Sequence, residues 1–182
     1  MGIIIKNKRS KKENILKEYP DAVIVDVTSK AIGEFKRLSP FYPHPGIPIP
    51  FTTGMTAMSV EGIWQGLKVF RSGEGIDREC FRNDTMKGLK RTVLTHGPMA
   101  GHRKGVFGTE LLDYLTARHE IYVPSYFWVL EHRCKPQIEK LREIANSRTL
   151  VLLDYNTNPD INDPSTPLSH ASLIKKYIEE GA

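Results

Sequence analysis

Ser59-Val-Glu-Gly-Ile-Trp-Gln-Gly-Leu-Lys-Val-Phe70 is the stretch from which the rest of the chain can be read. Ser59 is a good N-cap, and Glu61 then falls in the first turn, where the helix dipole favours a carboxylate. At about 100° per residue, Val60, Ile63, Leu67 and Phe70 share one face, with Trp64 at its border. Glu61, Gln65 and Lys68 align on the opposite face at i, i+4 and i+7. Gly62 and Gly66 are poor helix formers, and their use is close approach by another backbone or by a ligand.

Around this helix the chain alternates apolar runs with breakers. Residues 13–19 read as a short helix closed by Pro20, and 22–27 as a β-branched buried strand. Residues 39–50 hold five prolines interleaved with Phe41, Tyr42, Ile47 and Ile49, which suits an extended wall rather than a helix or central strand. Residues 71–79 are a polar loop. Residues 84–95 read as a helix with Lys87, Lys90 and Arg91 outward. Thr109 caps a helix to about Arg118, and Ser125 opens a helical region to about Ser147 that Pro136 kinks or restarts. Residues 149–154 form a second buried strand, 156–167 an Asn/Asp/Pro loop, and Ser169 caps a final helix ending near Gly181.

The 182 residues carry a net charge of +5, and 40% are hydrophobic, enough for a core. Lys6, Lys8, Arg9, Lys11 and Lys12 account for the excess, so residues 1–12 read as a basic arm and 13–182 as one domain. The arm leaves nucleic acid as a possible partner. No apolar run is long enough for a transmembrane helix, and the first residues lack the order of a secretory signal. The two cysteines, Cys80 and Cys134, therefore read as reduced, packed thiols of a cytoplasmic protein. The six histidines show no metal-ligand spacing, so no metal and no cofactor is expected.

Two loops offer chemistry. Residues 96–108 combine four glycines with Arg103 and Lys104, which suits a phosphate. Residues 154–163 follow a buried strand, where Asp154, Asp160 and Asp163 are available to act on a substrate. Glu61 stands out in the helix. Beside Trp64 and behind an aromatic wall, it can stabilise a cation or deprotonate a water.

Leu38-Ser-Pro-Phe-Tyr-Pro43, followed by Ser59, Glu61, Gln65 and Lys68 at their spacing, resembles the NADAR-type N-glycosidases. Pro40 stands where that family has Asn, and Val69 precedes the family's Phe. Gly101-His-Arg103 and the 158–163 loop are similar to later blocks in the same order. The chain as a whole is more similar still to a group of bacterial and phage proteins with no assigned activity. The resemblance implies a compact single α+β domain, mainly helical with a few short strands. It also implies hydrolysis of an N-glycosidic bond in a phosphorylated or ADP-ribosylated nucleoside or base, with Glu61 as the catalytic carboxylate. Asp160 or Asp163 is then the candidate proton donor to the leaving base. Phe41, Tyr42, Trp64, Gln65, Lys68, Arg103 and Trp128 are candidate substrate contacts, the aromatics by stacking and the cations by holding phosphate. Two other classes remain: a non-catalytic module binding nucleotide, ADP-ribose or nucleic acid, and a ribosyl or ADP-ribosyl transferase using the same oxocarbenium chemistry.

Overall fold

The computed structural model describes residues 2–181. The fold is α+β, mainly helical with short strands. The chain divides into two units, one made of residues 1–39 and 130–182, the other of residues 40–129.

The first unit is built on a parallel sheet of β1 (Ile3–Asn7), β8 (Leu150–Asp154) and β2 (Val23–Asp26), in the order β1-β8-β2. Leu150, Val151 and Leu152 of the middle strand are each fully buried, as expected for a strand covered on both faces. Ile15 of α1 (Lys12–Glu18) packs on Val151 and Ala22, with Ile4, Leu16, Ile24 and Leu153 around them. Helices α7 (Lys135–Ser147) and α8 (His170–Glu180) contact the middle strand and each other, bringing Leu141 and Ile174 into the core. Pro136 lies in the first turn of α7, where its missing N–H costs nothing, so it starts a helix rather than kinking one. Ser169 caps α8 by accepting a hydrogen bond from the Ser172 N–H.

The basic arm expected over residues 1–12 is not an arm. Ile3-Ile4-Ile5 is a β-branched run that pairs in register with Leu150–Leu152. Its flanking cations are engaged locally, Lys6 with Glu18 and Lys8 with Asp26. Arg9, Lys11 and Lys12 are exposed, so only part of the charge that suggested nucleic acid is engaged within the fold.

The second unit holds the proline-rich segment, in which Ile47–Pro48 (β3) pairs with Thr56–Ala57 (β4). It continues through α2 (Val60–Gly66), β5 (Lys68–Phe70), α3 (Glu79–Arg82), α4 (Val93–His96), β6 (Met99–Arg103), β7 (Leu111–Leu112) and α5 (Tyr114–Ala117). A π-helical turn over Arg118–Tyr122 then leads into α6 (Val123–Arg133). Strands β5, β6 and β7 form an antiparallel sheet. The helix expected over 84–95 is reduced to the single turn of α4, and the one expected from Thr109 begins at Tyr114, capped by Asp113. Residues 99–103 of the glycine-rich stretch 96–108 are strand β6, and of the bend that follows the Lys104 N–H goes to the Glu110 carbonyl and the Val106 N–H to Thr52 Oγ1, so these N–H groups serve the fold rather than an open phosphate cradle.

Gly62 and Gly66 are the points of close approach foreseen from α2. A Cβ on Gly62 would lie 2.4 Å from the Cys80 carbonyl oxygen, and one on Gly66 would lie 2.3 Å from the Phe81 ring. Backbone cannot yield as a flexible side chain can, so Gly62→Ala is expected to cost about 1–3 kcal/mol despite its better helix propensity. A thermal melt reads this as a fall of about 2–4 °C per kcal/mol. An unchanged melt would mean that α3 does not rest on α2.

Neither Cys80 nor Cys134 is in a disulfide, and both are buried. Burial pushes the Cys80 thiol up to about 12, with Asp77 adding to it, and burial likewise pushes Cys134 up to about 12. The thiolate is the nucleophile, so iodoacetamide at pH 8 is expected to leave both unmodified in the folded protein and to alkylate both in denaturant. Mass spectrometry counts the adducts, and one adduct on the native protein would refute the assignment.

Candidate active site

The local sequence of α2 sets the geometry. Ser59 Oγ accepts the Gly62 N–H at 2.9 Å, and the Glu61 N–H is held by the Pro40 carbonyl at 2.9 Å. Every residue from Val60 to Gly66 is buried, so the polar stripe is interior as well as the apolar one. Glu61 is 8% exposed and Gln65 5%. Gln65 Nε2 donates to Glu61 Oε1 at 2.6 Å, the i, i+4 contact expected on one helix face.

Lys68 reaches this pair by another route. The helix ends at Gly66, and Lys68 opens β5, so the i+7 alignment does not apply. Its ammonium nevertheless feels the Glu61 carboxylate. Burial draws the Lys68 pKa below its usual value, Glu61 opposes that shift, and Arg91 adds to it. Lys68 Nζ donates to the Arg91 carbonyl at 3.4 Å.

Arg91, expected to point outward, is 5% exposed. Its N–H donates to Gln65 Oε1 at 3.0 Å. Its guanidinium donates to the carbonyls of Gln65 (3.2 Å), Lys68 (2.9 Å) and Gly75 (2.8 Å) and to Glu74 Oε1 (3.0 Å). It also lies 4.8 Å from the Phe70 ring centroid. The other Glu74 oxygen lies 2.7 Å from His96 Nδ1. His96 first and Arg91 second hold the Glu74 carboxyl below its usual range.

Trp64 is enclosed rather than open for stacking. The His102 ring lies 3.8 Å away, and Tyr114 and Tyr122 meet it edge-on at 5.7 and 5.5 Å. Arg118, 2% exposed, lies over the Tyr114 ring at 4.6 Å and donates to its hydroxyl at 3.1 Å. The role expected of Trp64 as a base platform therefore becomes that of a wall. His102 is fully buried and neither ring nitrogen has a well-formed hydrogen bond. Burial pushes its pKa down to about 3, and Lys68, its partner in the sheet register, pushes the same way, so the ring is neutral.

The remaining candidates divide. Arg103 follows His102 in β6 and so faces the opposite side of the sheet from Lys68. The two cations do not form one phosphate site. Phe41 and Tyr42 are half-buried in the proline-rich segment, with Tyr42 5.0 Å from the His44 ring, and Trp128 is half-buried on α6. Asp160 and Asp163 belong to the first unit, in the loop before α8. There Asp160 Oδ1 accepts the Asn162 N–H and Asp163 Oδ1 the Ser165 N–H, both at 2.8 Å, so each carboxylate shapes a turn.

Asp154 in the same unit is buried at the end of β8. Its Oδ2 accepts from Ser169 Oγ at 2.8 Å and lies 3.0 Å from His170 Nδ1, while His170 Nε2 meets the Val27 carbonyl at 2.9 Å. Burial alone would push Asp154 up and His170 down. Their mutual attraction and hydrogen bonds outweigh it, so Asp154 is lowered and His170 raised. Ser169 bonds the carboxylate rather than the imidazole, so the trio is a clasp and not a nucleophile relay.

Sequence reasoning missed Arg91, Glu74, His102, Tyr114 and Tyr122. Only His102 left a signal, since strand alternation through 99–103 sets it opposite in direction to Arg103. Among the described residues, no three His, Cys, Asp or Glu side chains gather to hold a metal ion, and no helix is long and apolar enough to cross a membrane.

The fold and site thus define an α+β protein with a buried carboxylate–amide pair and a half-buried ammonium electrostatically coupled to it. Over residues 7–174 the sequence matches DUF6939, a family of unknown function, and the chain belongs to that family. No curated protein and no solved structure matches it.

Proposed function

We propose that this protein is an N-glycosidase that hydrolyses the bond between a base and the ribose of a phosphorylated or ADP-ribosylated nucleoside. The observation that carries the reading is the buried Glu61 carboxylate, oriented by Gln65 at 2.6 Å and coupled to the Lys68 ammonium. These are the residues whose spacing resembles the NADAR-type enzymes.

Cleavage of the C–N bond leaves its electron pair on the base nitrogen and develops positive charge on the ribose. A fixed carboxylate stabilises that charge and accepts the proton of the water that attacks the anomeric carbon. Gln65 keeps the carboxylate from turning away as the charge develops. Lys68 is the cation at hand for a phosphate, and with its proton loosened by burial it also hydrogen-bonds the departing nitrogen.

The test is a mass-spectrometric screen. The protein is incubated with NAD, ADP-ribosyl-guanosine, ADP-ribosylated DNA and ribosylamino-pyrimidine phosphates. Release of free base with water as the only acceptor supports the reading and names the substrate class. Intact substrates throughout refute it, and product formed only with an added acceptor identifies a transferase instead.

A further inference from the structure

Resting on that reading, we infer that Arg91 is the positioning residue of the site: its main chain holds both Lys68 and Gln65, the partner of Glu61, and its guanidinium holds that main chain in place. One peptide unit serves both groups. The Arg91 N–H donates to Gln65 Oε1 at 3.0 Å, which fixes the amide so that Nε2 must face Glu61. The Arg91 carbonyl accepts from Lys68 Nζ at 3.4 Å. A flip of the Gln65 amide would set its oxygen against the carboxylate and its NH₂ against an N–H, losing both contacts.

The main chain of residue 91 belongs to no helix or strand, so regular secondary structure does not hold it. The side chain does. Its fork grips three separate segments: the last turn of α2 through the Gln65 carbonyl, the start of β5 through the Lys68 carbonyl, and the irregular segment 74–75 through Gly75 and Glu74. Phe70 lies beneath the guanidinium at 4.8 Å. Only a planar group with several divergent donors closes all of these contacts, and an ammonium of equal charge does not. The Glu74 side chain is 45% exposed and also engages His96, so the clamp is anchored from the surface while its other end holds Gln65, the partner of the Glu61 carboxylate.

The experiment follows the Gln65 side-chain NH₂ by NMR in the full chain, assigned with Gln65→Leu, in wild type, Arg91→Met and Arg91→Lys. A 2.6 Å bond to a buried carboxylate gives that amide slow hydrogen exchange and a shift outside the ordinary glutamine range. In Arg91→Met its exchange is expected to rise about tenfold or more, with the resonance returning to the ordinary range. Arg91→Lys is expected to behave alike. A merely structural role would lower the melting temperature and leave the Gln65 signal where it is. On whichever N-glycoside the protein hydrolyses, both variants are expected to lose about 100-fold in kcat with KM within about threefold, the mark of misplacement rather than lost binding.

An unchanged Gln65 amide in folded Arg91→Met overturns the inference, as does full restoration by Arg91→Lys. If Arg91→Met does not fold, Glu74→Leu removes both oxygens of the outer anchor and leaves Arg91 itself in place. Faster exchange of the Gln65 amide there supports the inference, and no change overturns it. A protein that hydrolyses no N-glycoside, yet loosens Gln65 in Arg91→Met, keeps the positioning role and loses only the assigned reaction.

Discussion

Glu61→Gln is expected to reduce N-glycoside hydrolysis by about 10³-fold or more in kcat, with the melting temperature little changed. The two side chains have the same shape, so the space occupied by Glu61 stays filled. The amide oxygen of the new side chain still accepts from Gln65 Nε2, so the helix keeps its internal contact. What is lost is the negative charge, and with it both the stabilisation of the developing ribose cation and the base that takes the proton from water. A second signal follows at Lys68. Glu61 opposes the downward pull of burial on that ammonium, so removing its charge lets the Lys68 pKa fall further. Lys68 in Glu61→Gln is therefore expected to acylate faster than in wild type at pH 8, read by peptide mapping. Full hydrolytic activity in the variant would end the assignment of Glu61. Lost activity with unchanged Lys68 reactivity would mean that the carboxylate and ammonium are not coupled.

Asp154→Asn is expected to be the most destabilising single change of those considered, at about 3–5 kcal/mol near pH 6. The side chains of Asp154 and His170 are only 4% and 10% exposed, so removing the anion strands a buried imidazolium. Both His170 nitrogens face acceptors, the Asp154 carboxylate and the Val27 carbonyl, which suits the doubly protonated ring. The Ser169 hydroxyl, which caps α8, also loses part of its partner.

The pH dependence separates this clasp from ordinary packing. His170 is raised, so its contribution is complete below its unfolded value of about 6.5 and is lost as pH climbs through the higher folded value. Asp154 is lowered, so its contribution is complete above its unfolded value of about 3.9 and is lost as pH falls through the lower folded value. The gap between wild type and Asp154→Asn should therefore be widest between about pH 4 and 6.5 and should narrow on either side. Urea denaturation at several pH values measures it, and a gap independent of pH would refute the charged pair.

The features legible in the sequence are those written in neighbouring residues. The Ser59 and Ser169 caps, the apolar runs leading to Asp26 and Asp154, and an interruption of the helical region at Pro136 all announce themselves within a few positions. So does the Glu61–Gln65 contact, which needs only the helical repeat. The end of α2 was not legible. Leu67 and Phe70 continue the apolar period of the helix, and only pairing with β6, far along the chain, turns Lys68–Phe70 into a strand. Arg91 was hidden for the same reason. Its surroundings come from segments near 65, 74 and 91, and a charged side chain gives no local sign that it will be buried. The N-terminal strand was visible in Ile3-Ile4-Ile5, but the cations after it drew the reading toward a solvated arm.

The strand order β1-β8-β2 also says when each part of the molecule is able to form. The middle strand leaves the ribosome more than a hundred residues after both of its neighbours, and until it arrives β1 and β2 lack the strand they pair with. Residues 40–129, by contrast, are one uninterrupted stretch whose internal contacts are complete before β8 is made. Synthesis therefore meets the two units in reverse of their numbering. The stretch bearing Glu61 is free to settle early, while Ile3–Asn7 and Val23–Asp26 wait for Leu150–Asp154.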